Sequence, residues 1–306
     1  MQISVQRRET SSLYNFVQKP KGKIMQIERN AFIACDCDYS EANTVIFGAP
    51  FDSTTSYRPG TRFGSRAIRA ESYGIETYSP YQDKDLLDCK IFDAGDPELP
   101  MGSADMALAQ IEDVAAEILA DGKRPFMLGG EHLVTLGAVR AVQKKYNDLY
   151  IIQFDAHADL RDDYLGVKNS HACVMRRCHE LVGDGHIYQF GIRSGEREEF
   201  RFAAEHTKMH KLTLDGVAEA AEELRGKNVY VTVDMDVLDP SEFPGTGTPE
   251  AGGVRFGQLL DALLSLKELN IVGADINELS PPYDPSGIST ALACKLLREI
   301  LLMLEA

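Results

Sequence analysis

The chain has 306 residues, and 32 basic against 47 acidic side chains give a formal net charge of −15. This acidity argues against a nucleic-acid partner, because phosphate-driven affinity needs clustered Lys and Arg. No apolar run approaches the roughly 20 residues that span a bilayer, and the first residues lack the apolar segment of a secretory signal. Six scattered cysteines are typical of reduced thiols, so we expect a cytoplasmic protein with no membrane partner.

Residues 1–40 show weak periodicity and are expected to form an N-terminal arm, which leaves 41–306 as one domain. In that domain, short runs that are apolar on both faces alternate with longer helical patterns. The runs predicted as strands are Thr44–Ala49, Lys90–Asp93, Pro125–Leu128, Leu149–Phe154, Ile187–Ile192, Val229–Val233 and Asn270–Ala274. The predicted helices are Ser103–Asp121, Leu133–Lys145, Leu214–Leu224, Phe256–Leu269 and Ser286–Leu304. This alternation predicts an α/β fold with a central parallel sheet and helices on both faces.

Three polar segments each follow directly after a predicted strand. They are Leu128-Gly-Gly-Glu-His132, Phe154-Asp-Ala-His-Ala-Asp159 and Val233-Asp-Met-Asp-Val-Leu-Asp-Pro240. Ligands of open parallel sheets gather at the carboxyl ends of the strands. We therefore expect side chains from these three segments to meet at one edge of the sheet.

The middle segment places Asp155, His157 and Asp159 at alternate positions, which share one face of an extended chain. Burying several unpaired charges costs more than the net stability of a domain, so a bound cation is expected to neutralise them. The complete set of candidate ligands is His132, Asp155, His157, Asp159, Asp234 and Asp236. A single such motif is more often a cap or a loop contact, but three motifs in one sheet favour a metal centre.

Four carboxylates match the charge of two divalent ions. Carboxylate and imidazole ligands without a thiolate suit Mn²⁺ or Fe²⁺ better than Zn²⁺. Asp155 and Asp234 are the candidates for bridging both ions, and a pair of bridged ions activates water near neutral pH.

With these motifs the chain resembles the ureohydrolase family of arginases and agmatinases, from about Phe47 onward. The resemblance implies a single-domain, three-layer αβα fold of the arginase/deacetylase type, a catalytic domain at 41–306 and two Mn²⁺ per subunit. It pairs His132 with Asp159 on one ion and His157 with Asp236 on the other, with Asp155 and Asp234 bridging. It also implies a homo-oligomer, either a trimer or a hexamer.

Two further positions take their roles from the resemblance. His171 corresponds to a histidine that shuttles protons and assists the leaving amine, and Glu278 corresponds to the acid that holds the guanidinium. Together with Asp159, which orients the attacking hydroxide in that family, these residues form the expected catalytic set. A planar guanidinium pairs well with a carboxylate, in agreement with the role of Glu278.

Several loops favour the agmatinase form of the family. Residues 50–69, 160–164 and 243–253 resemble agmatinase loops, and Arg161-Asp-Asp-Tyr-Leu-Gly166 replaces the arginase loop that grips an amino acid. The expected reaction is hydrolysis of agmatine, a small cationic guanidino substrate, to putrescine and urea. The alternatives are a guanidinobutyrase, an arginase, a formimidoylglutamase or a catalytically silent metal-binding homologue. A deacetylase of the related fold needs only one metal, so the extra ligands argue against it.

Overall fold

The structure is a computed structural model that describes residues 30–305. Its strands are β1 (Thr44–Gly48), β2 (Tyr78–Ser79), β3 (Lys84–Asp85), β4 (Ile91–Asp93), β5 (Arg124–Leu128), β6 (Leu149–Phe154), β7 (Ile187–Ile192), β8 (Lys208–Lys211), β9 (Asn228–Asp234) and β10 (Asn270–Asn277). Its α-helices are α1 (Gly64–Glu71), α2 (Ala104–Ala120), α3 (Thr135–Lys145), α4 (Val174–Val182), α5 (Arg197–His206), α6 (Val217–Glu223), α7 (Phe256–Leu264) and α8 (Ile288–Leu304). Each of the seven predicted strands and five predicted helices corresponds to one of these elements.

Eight strands form one parallel sheet in the order β4-β1-β5-β10-β9-β6-β7-β8. The two short strands β2 and β3 pair separately as an antiparallel hairpin. The central strands are buried along almost their whole length, because helices cover both faces of the sheet. The predicted parallel α/β architecture is confirmed.

The hydrophobic core consists of two clusters, one on each face of the sheet. Consecutive residues of a strand alternate between them, so that Val45 belongs to one cluster and Ile46 to the other. Residues of α1, α6, α7 and α8 fill the cluster of Ile46, and residues of α2, α3, α4 and α5 fill that of Val45. The molecule therefore has the three predicted αβα layers.

Six elements escaped the prediction from sequence, namely α1, α4, α5, β2, β3 and β8. Strand β8 is an edge strand with the polar sequence Lys-Met-His-Lys, and its residues are only partly buried. The predicted N-terminal arm lies outside the described residues up to position 29. After that point the chain packs on the sheet edge, where Phe32 is buried and Asp36 forms a bridge with Phe92 of β4.

The described part of the chain contains no helix long and apolar enough to cross a membrane. All six cysteines lie within residues 30–305 and none forms a disulfide, as expected for scattered thiols. Burial raises the pKa of several of these thiols, including that of Cys178, a buried residue of α4. A raised pKa keeps these thiols protonated, and the buried ones pack as small apolar side chains.

Candidate metal centre and substrate pocket

The six predicted ligands converge at the carboxyl edge of the sheet. His132 follows β5, Asp155 follows β6, and Asp234 ends β9. In the sheet these strands flank one another with only β10 between β5 and β9, so their ends lie side by side. Topology thus brings together residues that are about a hundred positions apart in the chain.

His132 faces three carboxylates with one ring nitrogen. Its Nδ1 lies 3.0 Å from Asp155 Oδ2, 3.1 Å from Asp159 Oδ2 and 3.4 Å from Asp234 Oδ2. The imidazole is buried, and Nδ1 has no hydrogen-bond partner of suitable geometry. A buried nitrogen in this position, ringed by carboxylate oxygens, is suited to ligating a cation.

The opposite nitrogen of His132 is held by a buried polar network. Nε2 lies 2.9 Å from Thr232 Oγ1, and the Thr232 hydroxyl donates its proton to Asp275 Oδ1 at 2.6 Å. Thr232 can then only accept from Nε2, so the neutral imidazole carries its proton there and presents a lone pair at Nδ1. Tyr230 and Thr135 hold the second Asp275 oxygen at 2.6 and 2.9 Å.

Asp155 connects His132 with the other imidazole of the cluster. Its Oδ1 lies 3.6 Å from His157 Nδ1, and the same nitrogen lies 2.9 Å from Asp236 Oδ2. Two groups of converging ligand atoms result, His132 with Asp155 and Asp234, and Asp155 with His157 and Asp236. The two groups share Asp155, whereas Asp234, the other residue predicted to bridge, belongs to the His132 group only.

Asp159 reaches the cluster in a different way from the one predicted. The alternation of an extended chain does not persist through the segment, because Asp159 has a left-handed backbone with φ of 54°. This turn still directs its carboxylate to His132. Such a conformation is uncommon for a residue other than glycine, and aspartate is among the side chains that tolerate it best.

The absence of a side chain at two glycines lets the loops close over the cluster. A Cβ at Gly129 would lie 1.7 Å from Asn277 Oδ1, and one at Gly130 would lie 2.0 Å from the Phe51 carbonyl oxygen. The Gly-Gly pair before Glu131 therefore permits close backbone packing.

The carboxylates of the cluster are in an unfavourable environment without a cation. Burial and the neighbouring Asp155 raise the pKa of Asp159 to about 7. Burial, together with Asp236 and Asp155, raises the pKa of Asp234 well above its usual range. Bound divalent ions would relieve this repulsion, so the donor set fits the predicted binuclear centre.

Glu278 lies beside the cluster and is almost fully buried. Its Oε1 accepts a hydrogen bond of 2.7 Å from the His132 backbone N–H, and its backbone has a positive φ of 66°. Burial, and then the nearby Glu131, raise the pKa of Glu278 well above its usual range. An unpaired buried carboxyl of this kind is ready to pair with a cationic group.

His171 is held by the loop that contains Thr54 and Ser56, within the segment 50–69 that resembles an agmatinase loop. The Ser56 N–H donates to His171 Nε2 at 3.2 Å, and the His171 N–H donates to Thr54 Oγ1 at 3.0 Å. The Thr54 N–H and hydroxyl in turn donate to the two oxygens of Glu131, at 2.9 and 2.6 Å. Glu131 and Thr54 are 77 positions apart, so no local spacing could have revealed this clamp.

A pocket of about 300 Å³ opens beside the cluster. His157, Asp159 and His171 line it together with Thr248 and Ser56, whereas Glu278 is not among its lining residues. Burial, and then the nearby imidazoles of His157 and His132, lower the pKa of His171 to about 4. The His171 ring is therefore neutral at pH 7.

The outer wall of the pocket carries more negative than positive charge. Arg161 Nη1 lies 3.1 Å from Glu196 Oε1, and its Nε lies 3.5 Å from Glu199 Oε2. Both acids and the arginine line the pocket. One guanidinium against two carboxylates leaves the wall with an excess acid, and Glu196 keeps 61% of its side-chain surface exposed.

Known proteins resemble this chain over most of its length. The chain is 47% identical over 276 residues to the agmatinase of Bacillus subtilis, covering 89% of this chain and 95% of that protein. It is 33% identical over 296 residues to the guanidinobutyrase of Pseudomonas aeruginosa, covering 92% and 93%. The crystal structure of the agmatine ureohydrolase of Thermoplasma volcanium superposes with a TM-score of 0.82 at 37% identity, covering 91% of this chain and 95% of that one.

The family comparison agrees with these similarities and with the metal motifs. The arginase family profile matches residues 42–303, which includes all six candidate ligands as well as His171 and Glu278. The resemblance inferred from the motifs is confirmed. The chain belongs to the arginase family.

Proposed function

We propose that this arginase-family hydrolase converts agmatine and water to putrescine and urea, and that it uses two Mn²⁺ per subunit. The observation that supports the proposal most directly is the pair of ligand groups that share Asp155, beside a pocket that His157 and Asp159 line. Mixed carboxylate and imidazole donors are the set that manganese accepts well. The similarity to agmatinases of known sequence and structure gives further support.

Two divalent ions bound at this centre supply the positive charge that makes water nucleophilic near neutral pH. Asp159, which faces the cluster from the pocket side, orients that water and accepts its proton. Glu278 pairs with the planar guanidinium and fixes it against the ligand edge of the sheet. His171 is neutral and lines the pocket, so it can accept the proton that Asp159 takes from the water and pass it to the departing amine as the carbon–nitrogen bond breaks.

The charge of the pocket wall supports a cationic tail on the substrate. Agmatine carries an ammonium opposite its guanidinium, and the excess carboxylate at Glu196 and Glu199 complements that charge. The arginine of the wall is already engaged by both acids. Guanidinobutyrate is the second candidate because its carboxylate tail could compete for Arg161, which lines the pocket.

The experiment that tests the proposal is a urea-release screen on the manganese-loaded protein. Agmatine, guanidinobutyrate, arginine and formiminoglutamate are compared by kcat/KM. We expect agmatine to be hydrolysed most efficiently. A preference for guanidinobutyrate would replace the proposed substrate while keeping the hydrolase, and no urea from any of the four would contradict the proposed function.

The location and the assembly of the protein are also proposals, the first argued from its cysteines and the second from the family resemblance. Scattered cysteines without disulfides suit a reducing compartment, so we infer that the protein acts in the cytoplasm. Assembly into a trimer or hexamer is a prediction from the family resemblance, and size-exclusion chromatography with light scattering measures it directly.

A further inference from the structure

A second cluster of potential metal ligands lies at the C-terminal ends of α4 and α5. His179 Nε2 lies 2.8 Å from Asp184 Oδ1, and His206 Nδ1 lies 2.7 Å from the same oxygen. All three donor atoms fall within 4.8 Å of one another. We propose that His179, Asp184 and His206 form a peripheral site for one divalent ion of the zinc class, separate from the centre at the sheet edge.

The backbone holds the three residues in place. The loop between α4 and β7 carries Asp184 between two glycines, and its amides bond to the helix ends on either side. The Gly183 N–H donates to the His179 carbonyl and the Gly185 N–H donates to the His206 carbonyl, both at 2.8 Å. Because the same loop is tied to both histidines, the ligands keep their arrangement without an ion, which reduces the entropic cost of binding.

Aromatic packing orients the two imidazoles. The ring of Phe202 stacks on His206 with centroids 4.2 Å apart and meets the edge of His179 at 4.9 Å. Arg176 lies over the Phe202 ring at 3.6 Å and is the unfavourable charge in the surroundings. Glu205, whose Oε2 is 4.0 Å from His206 Nε2, offsets it.

The donor set favours zinc over manganese at this position. Two imidazoles and one carboxylate complete three places of a tetrahedral zinc site, and solvent can supply the fourth. Asp184 retains 69% of its side-chain exposure, so water has access. Zinc–ligand bonds of about 2.0–2.2 Å require the donors to separate slightly from their present hydrogen-bond distances. The flanking Gly183 and Gly185, both with positive φ, permit that adjustment.

The test measures zinc bound to the full chain while excess manganese saturates the catalytic centre. Equilibrium dialysis against Zn²⁺, followed by elemental analysis, is performed on the wild type and on the variants Asp184→Asn and His206→Gln. Asp215→Asn and His210→Gln are matched controls, since they remove the same kinds of group outside the cluster. Circular dichroism and manganese content verify that each variant is folded and loaded.

We expect the wild type and both controls to retain one more zinc per chain than either cluster variant. Zinc is also expected to raise the Tm of the wild type but not of the cluster variants, because the ion ties the ends of two helices together. Equal zinc content in the wild type and both cluster variants overturns the proposal. Asp184 would then only accept hydrogen bonds from two imidazoles. Since urea release does not enter the measurement, the result is independent of the proposed function.

Discussion

Individual side chains at the sheet edge are placed by partners outside the ligand set. His132 illustrates this, because Thr232 and Asp275 hold its Nε2 and thereby aim the lone pair of Nδ1 at the carboxylates. The sequence motif identified the histidine, and the network that selects its tautomer is visible only in three dimensions. Hydrogen-bond partners of this kind fix the tautomer and the ring orientation of a metal-binding histidine.

Replacement of Glu278 by Gln tests its proposed pairing with the guanidinium. The amide oxygen can still accept the His132 N–H, so the metal ligands are expected to remain in place. Loss of the charge is expected to lower kcat/KM for agmatine by the equivalent of about 2–5 kcal/mol, the typical effect of breaking a buried charge pair. Steady-state kinetics with manganese analysis measures both quantities. Normal kinetics would remove Glu278 from the substrate site.

At the scale of segments, the loop at residues 51–56 depends on Glu131 for its position. Glu131 is fully buried, and its carboxylate accepts hydrogen bonds from Thr54 and Thr55. Burial raises the pKa of Glu131 to about 7, although these hydrogen bonds oppose the shift. The loop therefore couples a residue next to a metal ligand with the histidine on the opposite side of the pocket.

Substitution of Thr54 by Val removes the hydroxyl shared by Glu131 and His171. We expect kcat to fall about tenfold or more because His171 loses its alignment, while KM changes less. Thr54→Ser restores a hydroxyl at the same place and should recover most of the rate. If Val and Ser behave alike in stopped urea assays, the hydroxyl has no part in positioning His171.

Glu196, the N-cap residue directly before α5, carries the charge proposed to recognise the substrate tail. Glu196→Gln is expected to lower the preference for agmatine over guanidinobutyrate by a few-fold, that is about 0.5–1 kcal/mol, since this acid is largely exposed. Glu198→Gln, an exposed acid of the same helix, is the matched control. The ratio of kcat/KM values for the two substrates provides the measurement, and an unchanged ratio would assign tail recognition elsewhere.

Strands are predictable from sequence where the hydrophobic pattern of a segment matches its burial in the fold. Strand β9 is buried at nearly every position, so the run Val229–Val233 was recognised as a strand covered on both faces. Edge strand β8 is polar and only partly buried, so its sequence shows no hydrophobic pattern that would predict a strand. The candidate metal ligands can be located from sequence because charged residues stand at strand ends, whereas Thr54 and Glu131 belong to segments that meet only after folding.

For the whole molecule, the cluster of buried acids links stability to pH and to metal. In the metal-free protein Asp159 and Asp234 have raised pKa values, so the folded state holds protons that the unfolded state has released. That contribution to stability is lost as the pH rises through about 7. His132 acts in the same direction, because the facing carboxylates raise its pKa despite its burial.

Manganese is therefore expected to raise the Tm more at pH 8 than at pH 6, since protons compete with the ions for the same ligands. Differential scanning calorimetry with and without Mn²⁺ measures the effect. Asp236→Asn should reduce the manganese-induced rise in Tm, and the variant should bind one ion fewer and release little urea. Asp261→Asn, on the exposed face of α7, is the control and should change none of these quantities. A manganese-induced shift that is equal at both pH values would contradict the placement of these acids around the ions.

The 2.7 Å hydrogen bond between the His132 backbone N–H and Glu278 Oε1 connects a candidate metal ligand directly with the acid proposed to bind the guanidinium. A guanidinium that pairs with the Glu278 carboxylate is therefore expected to act also on the backbone that presents the imidazole of His132. Thermodynamic reciprocity then requires that a guanidino inhibitor which increases the affinity for manganese must itself bind less tightly to the metal-free protein, by the same factor. The affinity for manganese then reports whether the guanidino inhibitor is bound, and the affinity for the inhibitor reports whether manganese is bound.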